Sequence, residues 1–243
     1  MPRLAKLTLS LLLLTLSTPA QAIYRGQNVT SASNPTFTFI QAPFTTSCST
    51  SSASCTLTVA STGSGHLLYI DALSNAGNSS YISTSTLPSG ACSTAWVVPT
   101  AAEINGAAGS LSGAYCLSST SGVTSISMTW NNASPGFSGI RVWEYSFSGS
   151  AASFDTAGTY GLGGSSSTQL GVALTLSGSN DVIIQTNIFA SQATSSVTTY
   201  GNFSATFGGT ADLENTASGA APTWTAGGSS TAVNSAIAFT AVP

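Results

Sequence analysis

Gly139-Ile140-Arg141-Val142-Trp143-Glu144-Tyr145-Ser146-Phe147 is the densest aromatic and β-branched run in the chain beyond its first 22 residues. That composition suits a pleated surface that is at least half buried. Side chains alternate along a strand, so Ile140, Val142, Glu144 and Ser146 share one face and Arg141, Trp143, Tyr145 and Phe147 the other. The stretch reads as a central strand of a large antiparallel sandwich, with the similar run Asp181–Phe189 as its partner.

Working outward, strand patterns cover Thr36–Gln41, Cys55–Ala60, His66–Leu73, Ser79–Thr84, Ala95–Val98, Ala114–Leu117 and Val123–Trp130 before this run. After it they cover Gln169–Leu176, Asp181–Phe189, Val197–Tyr200, Phe203–Phe207 and Ala232–Val242. Turn formers such as Asn75-Ala76-Gly77-Asn78 separate them, and a helical turn is expected only over Thr100–Ala108. Gly161–Ser167 and Gly227–Ser230 read as loop tips, too short for domain linkers. Many short strands at near-regular spacing predict an all-β fold. The expected architecture is a jelly-roll-like two-sheet antiparallel β-sandwich, one domain over residues 23–243.

Residues 1–22 have the three parts of a secretory signal peptide. Arg3 and Lys6 are basic, Leu7–Leu16 is apolar, and Ala20-Gln21-Ala22 is a small-x-small cleavage site. Beyond it no apolar run approaches the roughly 20 residues that span a bilayer as a helix. Charged residues make up only 5% of the chain, so Ser, Thr, Asn and 24 Gly supply its polarity. Cleavage leaves Arg25 and Arg141 as the basic residues against seven Asp and Glu. Phosphate binding needs clustered Lys or Arg, so nucleic acid is not an expected partner. An extracellular or cell-surface location follows.

Cys48, Cys55, Cys92 and Cys116 are an even number in an exported chain, which favours two disulfides. Three connectivities exist. Cys48 and Cys55 flank Ser49–Ser54, making a local bridge the simplest choice and leaving Cys92 to Cys116. The spacings do not match zinc ligands, and His66 is the chain's one histidine.

Gly65-His66-Leu67-Leu68 leads to Ala76-Gly77-Asn78 and Tyr81. Further on, Arg141-Val142-Trp143-Glu144-Tyr145-Ser146 is followed by Asp155 and an apolar closing strand. In these features the chain resembles a broad group of secreted bacterial β-sandwich proteins rich in Ser, Thr and Gly. The group carries a G-N-L-L-like strand, a D-x-x-G-N-x-Y-like turn and an E-Y-S-G-like strand end. Here Ser74 stands where the turn's Asp belongs, and Phe147 separates Ser146 from Ser148-Gly149. The resemblance implies the sandwich and export, and no activity.

Glu144 shares the face of Ile140 and Val142, where a carboxylate must be paired or hydrogen-bonded. A structural acceptor for nearby backbone or Ser/Thr groups is the favoured role. The alternative is the acid or nucleophile of a jelly-roll glycoside hydrolase or lyase, which needs a second carboxyl at defined separation. His66 has no G-x-S-x-G elbow to serve, so it carries no catalytic expectation. Asp71, Asn75 and Asn78 form an oxygen-rich turn, but one carboxylate is thin for a divalent cation. No metal or cofactor is expected. Trp143, Tyr145 and Arg141 share a face and would make a binding platform if exposed, or core if turned inward. The expected function is therefore non-catalytic binding or adhesion at the surface, to polysaccharide or another surface protein. A structural matrix subunit is a third reading and requires an open sheet edge.

Overall fold

The computed structural model describes residues 34–243 except 46–47, 49–53, 75–81, 83–86, 132–137, 192 and 206–207, and residues 34–243 form one unit. The signal-peptide expectation, the Asn75–Asn78 turn and most of the strand expected at Ser79–Thr84 lie outside the described residues. In chain order the strands are β1 (Phe37–Gln41), β2 (Phe44–Thr45), β3 (Ser54–Thr58), β4 (Leu67–Ser74), β5 (Ile104–Gly106), β6 (Gly109–Cys116) and β7 (Ser125–Thr129). They continue as β8 (Ser138–Phe147), β9 (Ala151–Leu170), β10 (Asp181–Phe189), β11 (Thr194–Val197), β12 (Gly201–Ala205), β13 (Gly208–Thr216) and β14 (Thr223–Val242).

The fold is an all-β sandwich of antiparallel sheets. Sheet 1 has the order β1-β8-β4-β6-β5, with β2 also on β8. Sheet 2 has the order β11-β14-β10-β13-β12, with β9 also on β14. A separate ribbon pairs β3 with β7. The connectivity is sequential: β1 to β8 build the first sheet and the ribbon, and β9 to β14 build the second.

Alternation within β8 decides how the layers stack. Trp143 and Tyr145 point between the sheets, into a core with Leu67, Tyr69, Val182, Ile184, Ile237 and Phe239. Ile140 and Val142 point the other way, against Leu57, Ile126 and Met128 of the ribbon. The far face of sheet 2 is covered too, where Ile183, Ala211 and Ala238 meet Tyr200, Leu174 and Leu176. Central strands covered on both faces explain why β4 and β10 are buried throughout and show no polar alternation. Each large apolar side chain so enclosed contributes about 1.5–3 kcal/mol. Asp181–Phe189 is thus a partner of β8 across the core, while β8's ladder partners are β1, β2 and β4. Asn215, at φ 52°, ties the two sheets together. Its Oδ1 accepts from the Phe37 N–H at 2.7 Å and its Nδ2 donates to the Phe37 carbonyl at 2.9 Å. Asn tolerates this left-handed backbone better than most residues.

Four local expectations are corrected. Gly161–Ser167 and Gly227–Ser230 are not loop tips; they lie inside β9 and β14. The strand expected over Gln169–Leu176 ends at Leu170. The helical turn is a single 3-10 turn at Thr100–Ala102, followed by β5 and β6. Both bridges form as expected, Cys48–Cys55 and Cys92–Cys116, with Cα separations of 4.6 and 5.8 Å. Two disulfides place the folded chain in an oxidising setting. No helix among the described residues is long and apolar enough to cross a membrane.

Candidate functional site

Glu144 sits near the end of β8 on the ribbon-facing side and is fully buried. Three donors converge on its carboxylate. The Gly63 N–H reaches Oε1 at 2.8 Å, and His66 Nδ1 lies 2.7 Å from the same oxygen. Gln41 Nε2 reaches Oε2 at 2.5 Å. Gln41 is itself locked: its Nε2 also donates to the Ala60 carbonyl, and its Oε1 accepts from the Ala60 N–H. Its amino group is therefore fixed toward Glu144. The loop before β4 packs as tightly, since a Cβ on Gly63 would fall 2.1 Å from the His66 ring.

These contacts form a closed acceptor site. The donors to the carboxylate are an amide, a backbone N–H and an imidazole; none is a second carboxyl. Ser119 is close, but its hydroxyl donates to the Gly63 carbonyl and accepts from the His66 backbone N–H. The imidazole plays no part in those bonds, so no Ser-His-Glu relay is assembled. Sequence reading placed Glu144 on the correct face and missed His66 as its partner. The missing information was register: Leu68 lies opposite Glu144, which puts His66 diagonally across from it on the same face.

Trp143, Tyr145 and Arg141 are brought together, but not at the surface. Their relative exposures are 0%, 0% and 3%, so they are core rather than an exposed platform. The Arg141 guanidinium lies over the Phe44 and Trp143 rings, 5.1 and 5.5 Å from their centroids, and donates to the Ala42 carbonyl at 3.3 Å. Asp71 is directly opposite Arg141 in the β4–β8 ladder and points into the same inter-sheet space. Burial pushes its carboxyl up to about 6, against the opposing pull of the Thr186 hydroxyl, Arg141 and Trp143. Burial also brings the Arg141 guanidinium down to about 10, partly offset by Asp71 and Tyr145. The Tyr145 hydroxyl donates to Asp212 Oδ2 at 2.7 Å across the sheets, and burial raises Asp212 as well. Asp71 is thus committed to an internal contact rather than to a cation at the turn; Asn75 and Asn78 lie outside the described residues. Among the described residues no group of three or more His, Cys, Asp or Glu could hold a metal ion.

A carboxyl pair, Asp155 and Asp181, stands at the end of sheet 2. Burial first, and then the neighbouring Asp155, push Asp181 up to about 6. Burial works against Asp155 too, but hydrogen bonds from Ser177, Asp181 and Gly178 outweigh it and hold that carboxyl below its ordinary range. Asp181 is enclosed, and a Cβ on Gly178 would fall 2.0 Å from its Oδ1.

The ribbon offers a different kind of surface. Its inner side is Cys55, Leu57, Ile126 and Met128. Its outer side is Ser54, Thr56 and Thr58 opposite Thr129, Ser127 and Ser125 in register. This is an uncharged ladder of hydroxyl pairs, with Thr56 Oγ1 and Ser127 Oγ 2.7 Å apart. Same-face residues along a strand repeat at roughly 7 Å. No family model matches this chain, and neither a curated protein nor a solved structure matches it.

Proposed function

We propose that this chain is an exported, non-catalytic surface protein that works by binding, with polysaccharide as its ligand. The observation that carries the reading is the closed Glu144 site. A carboxylate with no solvent exposure, held by three donors, leaves no room for a glycosidic oxygen and a water. The β3–β7 hydroxyl ladder supports the ligand class, because neutral sugars present hydroxyls that pair with Ser and Thr groups without charge. The mature chain's few basic residues leave polyanions without a counterpart.

The test is to incubate the purified exported protein with a panel of soluble and insoluble polysaccharides, measuring both retention and reducing-end release. Retention without release is expected, weakened in the Thr56→Val, Ser127→Ala double variant and unchanged in Glu144→Gln. Hydrolysis by the wild type that vanishes in Glu144→Gln would replace this reading with the glycosidase alternative. One observation favours a second reading, a structural subunit of a surface layer: β9 borders sheet 2 over 20 residues and, among the described strands, pairs with β14 alone.

A further inference from the structure

On the side of sheet 2 turned away from sheet 1, oxygen-bearing side chains from β10, β14 and β9 stand together. Asp181 opens β10 directly opposite Thr240 of β14. Alternation places Asp181 with Ile183 and Thr240 with Ala238, both on that outer face. On the other side of β14 the ladder passes from Ala238↔Thr156 to Phe239↔Phe154, so Asp155 is the extra residue of a β-bulge. Bulges re-aim side chains. This one sets the Asp155 carboxyl against that of Asp181, within hydrogen-bonding reach. The segment after Leu176 then closes over the pair. Ser177 donates its N–H to Asp155 Oδ2 at 2.9 Å and its hydroxyl to Oδ1. Gly is required at 178, because a Cβ there would collide with both Asp181 Oδ1 and Thr240 Oγ1.

Ionised carboxylates only accept hydrogen bonds, so two in contact need a proton or a cation between them. Asp181 has no exposed surface, yet neither of its oxygens has a partner in hydrogen-bond geometry. Thr240 and Gly178 come close without supplying one. A shared proton would give the pair one hydrogen bond and leave the second Asp181 oxygen without a donor. A cation draws on both carboxylates at once. Without a cation the proton takes its place, and to that state the raised Asp181 carboxyl belongs.

We propose that Asp155 and Asp181 bind one calcium ion, with the Thr240 hydroxyl as a third ligand and water completing the shell. The donor set is oxygen throughout, which suits a hard cation and not zinc or copper. Calcium fits better than magnesium because it takes about six to eight oxygens in loose geometry, whereas magnesium demands a near-ideal octahedron. A cleft of about 330 Å³ lined by Ser177, Gly178, Ser179, Asn180 and Thr240 opens beside the pair and admits the water. Two carboxylates and a hydroxyl predict weak binding, with a Kd of about 0.1–1 mM, the range of extracellular calcium modules.

Calcium titration of the purified exported chain, first stripped with EDTA, tests this by calorimetry and by melting temperature. One ion per chain is expected. At about ten times the Kd the midpoint should rise by about 2–4 °C. Magnesium should shift it less, and sodium chloride of equal ionic strength not at all. Asp181→Asn and Asp155→Asn should each weaken calcium binding by about tenfold or more, because site charge sets the affinity. Glu103→Gln, which removes an acid elsewhere, should leave it unchanged. If Asp181→Asn fails to fold, Asp155→Asn decides alone. A wild type that shows neither heat nor shift at about 10 mM calcium, well above that Kd range, overturns the inference. So does binding that survives both substitutions, or a magnesium response as large as calcium's. Polysaccharide retention is read on the β3–β7 ribbon variants in calcium-free buffer, so the two readings fail independently.

Discussion

At the residue scale, Glu144 shows how far a period-2 reading reaches. Alternation with Ile140 and Val142 puts its carboxylate inside, and burial then demands partners. Those partners lie 78, 81 and 103 positions away in the chain, at His66, Gly63 and Gln41, so no local pattern names them. Once they are known, the two simplest substitutions separate. Glu144→Ala strands three donors at roughly 1–3 kcal/mol each, for a total loss of roughly 3 kcal/mol or more. Glu144→Gln keeps an acceptor for Gly63 and His66 but turns an amino group toward Gln41. The Gln41 amide cannot flip without losing both bonds to Ala60. Gln is therefore expected to cost roughly 1–3 kcal/mol, less than Ala but not zero. Urea unfolding of the three proteins checks the order, and an Ala variant as stable as the wild type would refute the closed-acceptor role.

At the element scale, the two disulfides differ in what they constrain. Cys48–Cys55 closes a loop with a sequence separation of 7, next to β3; Cys92–Cys116 closes one of 24 and pins the end of β6 to the segment after the 3-10 turn at Ser89–Ala91. On chain-entropy grounds the longer loop is worth about 1 kcal/mol more. The double substitution Cys92→Ala, Cys116→Ala should therefore lower the melting temperature further than Cys48→Ala, Cys55→Ala, in scanning calorimetry at fixed pH. Both pairs were legible from count, spacing and the expectation of export. β9 was not. Its Gly-Gly-Ser-Ser-Ser tract looks like a turn because small residues carry no strand signal, yet the ladder with β14 needs only backbone groups.

For the whole molecule, two buried carboxyls, Asp71 between the sheets and Asp181 at the end of sheet 2, make stability depend on pH. Asp71 and Asp181, both pushed up to about 6 from 3.8, bind protons more tightly folded than unfolded. Stability is therefore expected to rise as pH falls from about 6.5 to about 4, the reverse of the usual acid response. Below that window Asp155, held low in the folded state, begins to take up its proton and the gain reverses. Melting curves between pH 4 and 8 check this, and a midpoint that drops steadily as pH is lowered from about 6.5 to about 4 would refute it. Asp71→Asn should flatten part of the slope while destabilising the fold at neutral pH, because Arg141 is left buried without its opposite charge. What the sequence determined by itself was the all-β class, the two faces of β8, the cysteine pairing and the inward place of Glu144. Each follows from backbone periodicity or from nearby residues. Only the tertiary structure decided that both faces of β8 are covered, that Trp143, Tyr145 and Arg141 belong to the core, and that β9 is left at an edge. Those outcomes depend on which strands pair and how layers stack. That is settled by contacts between residues far apart in the chain, and in the Ser- and Gly-rich strands by backbone hydrogen bonds that leave no mark on side-chain pattern.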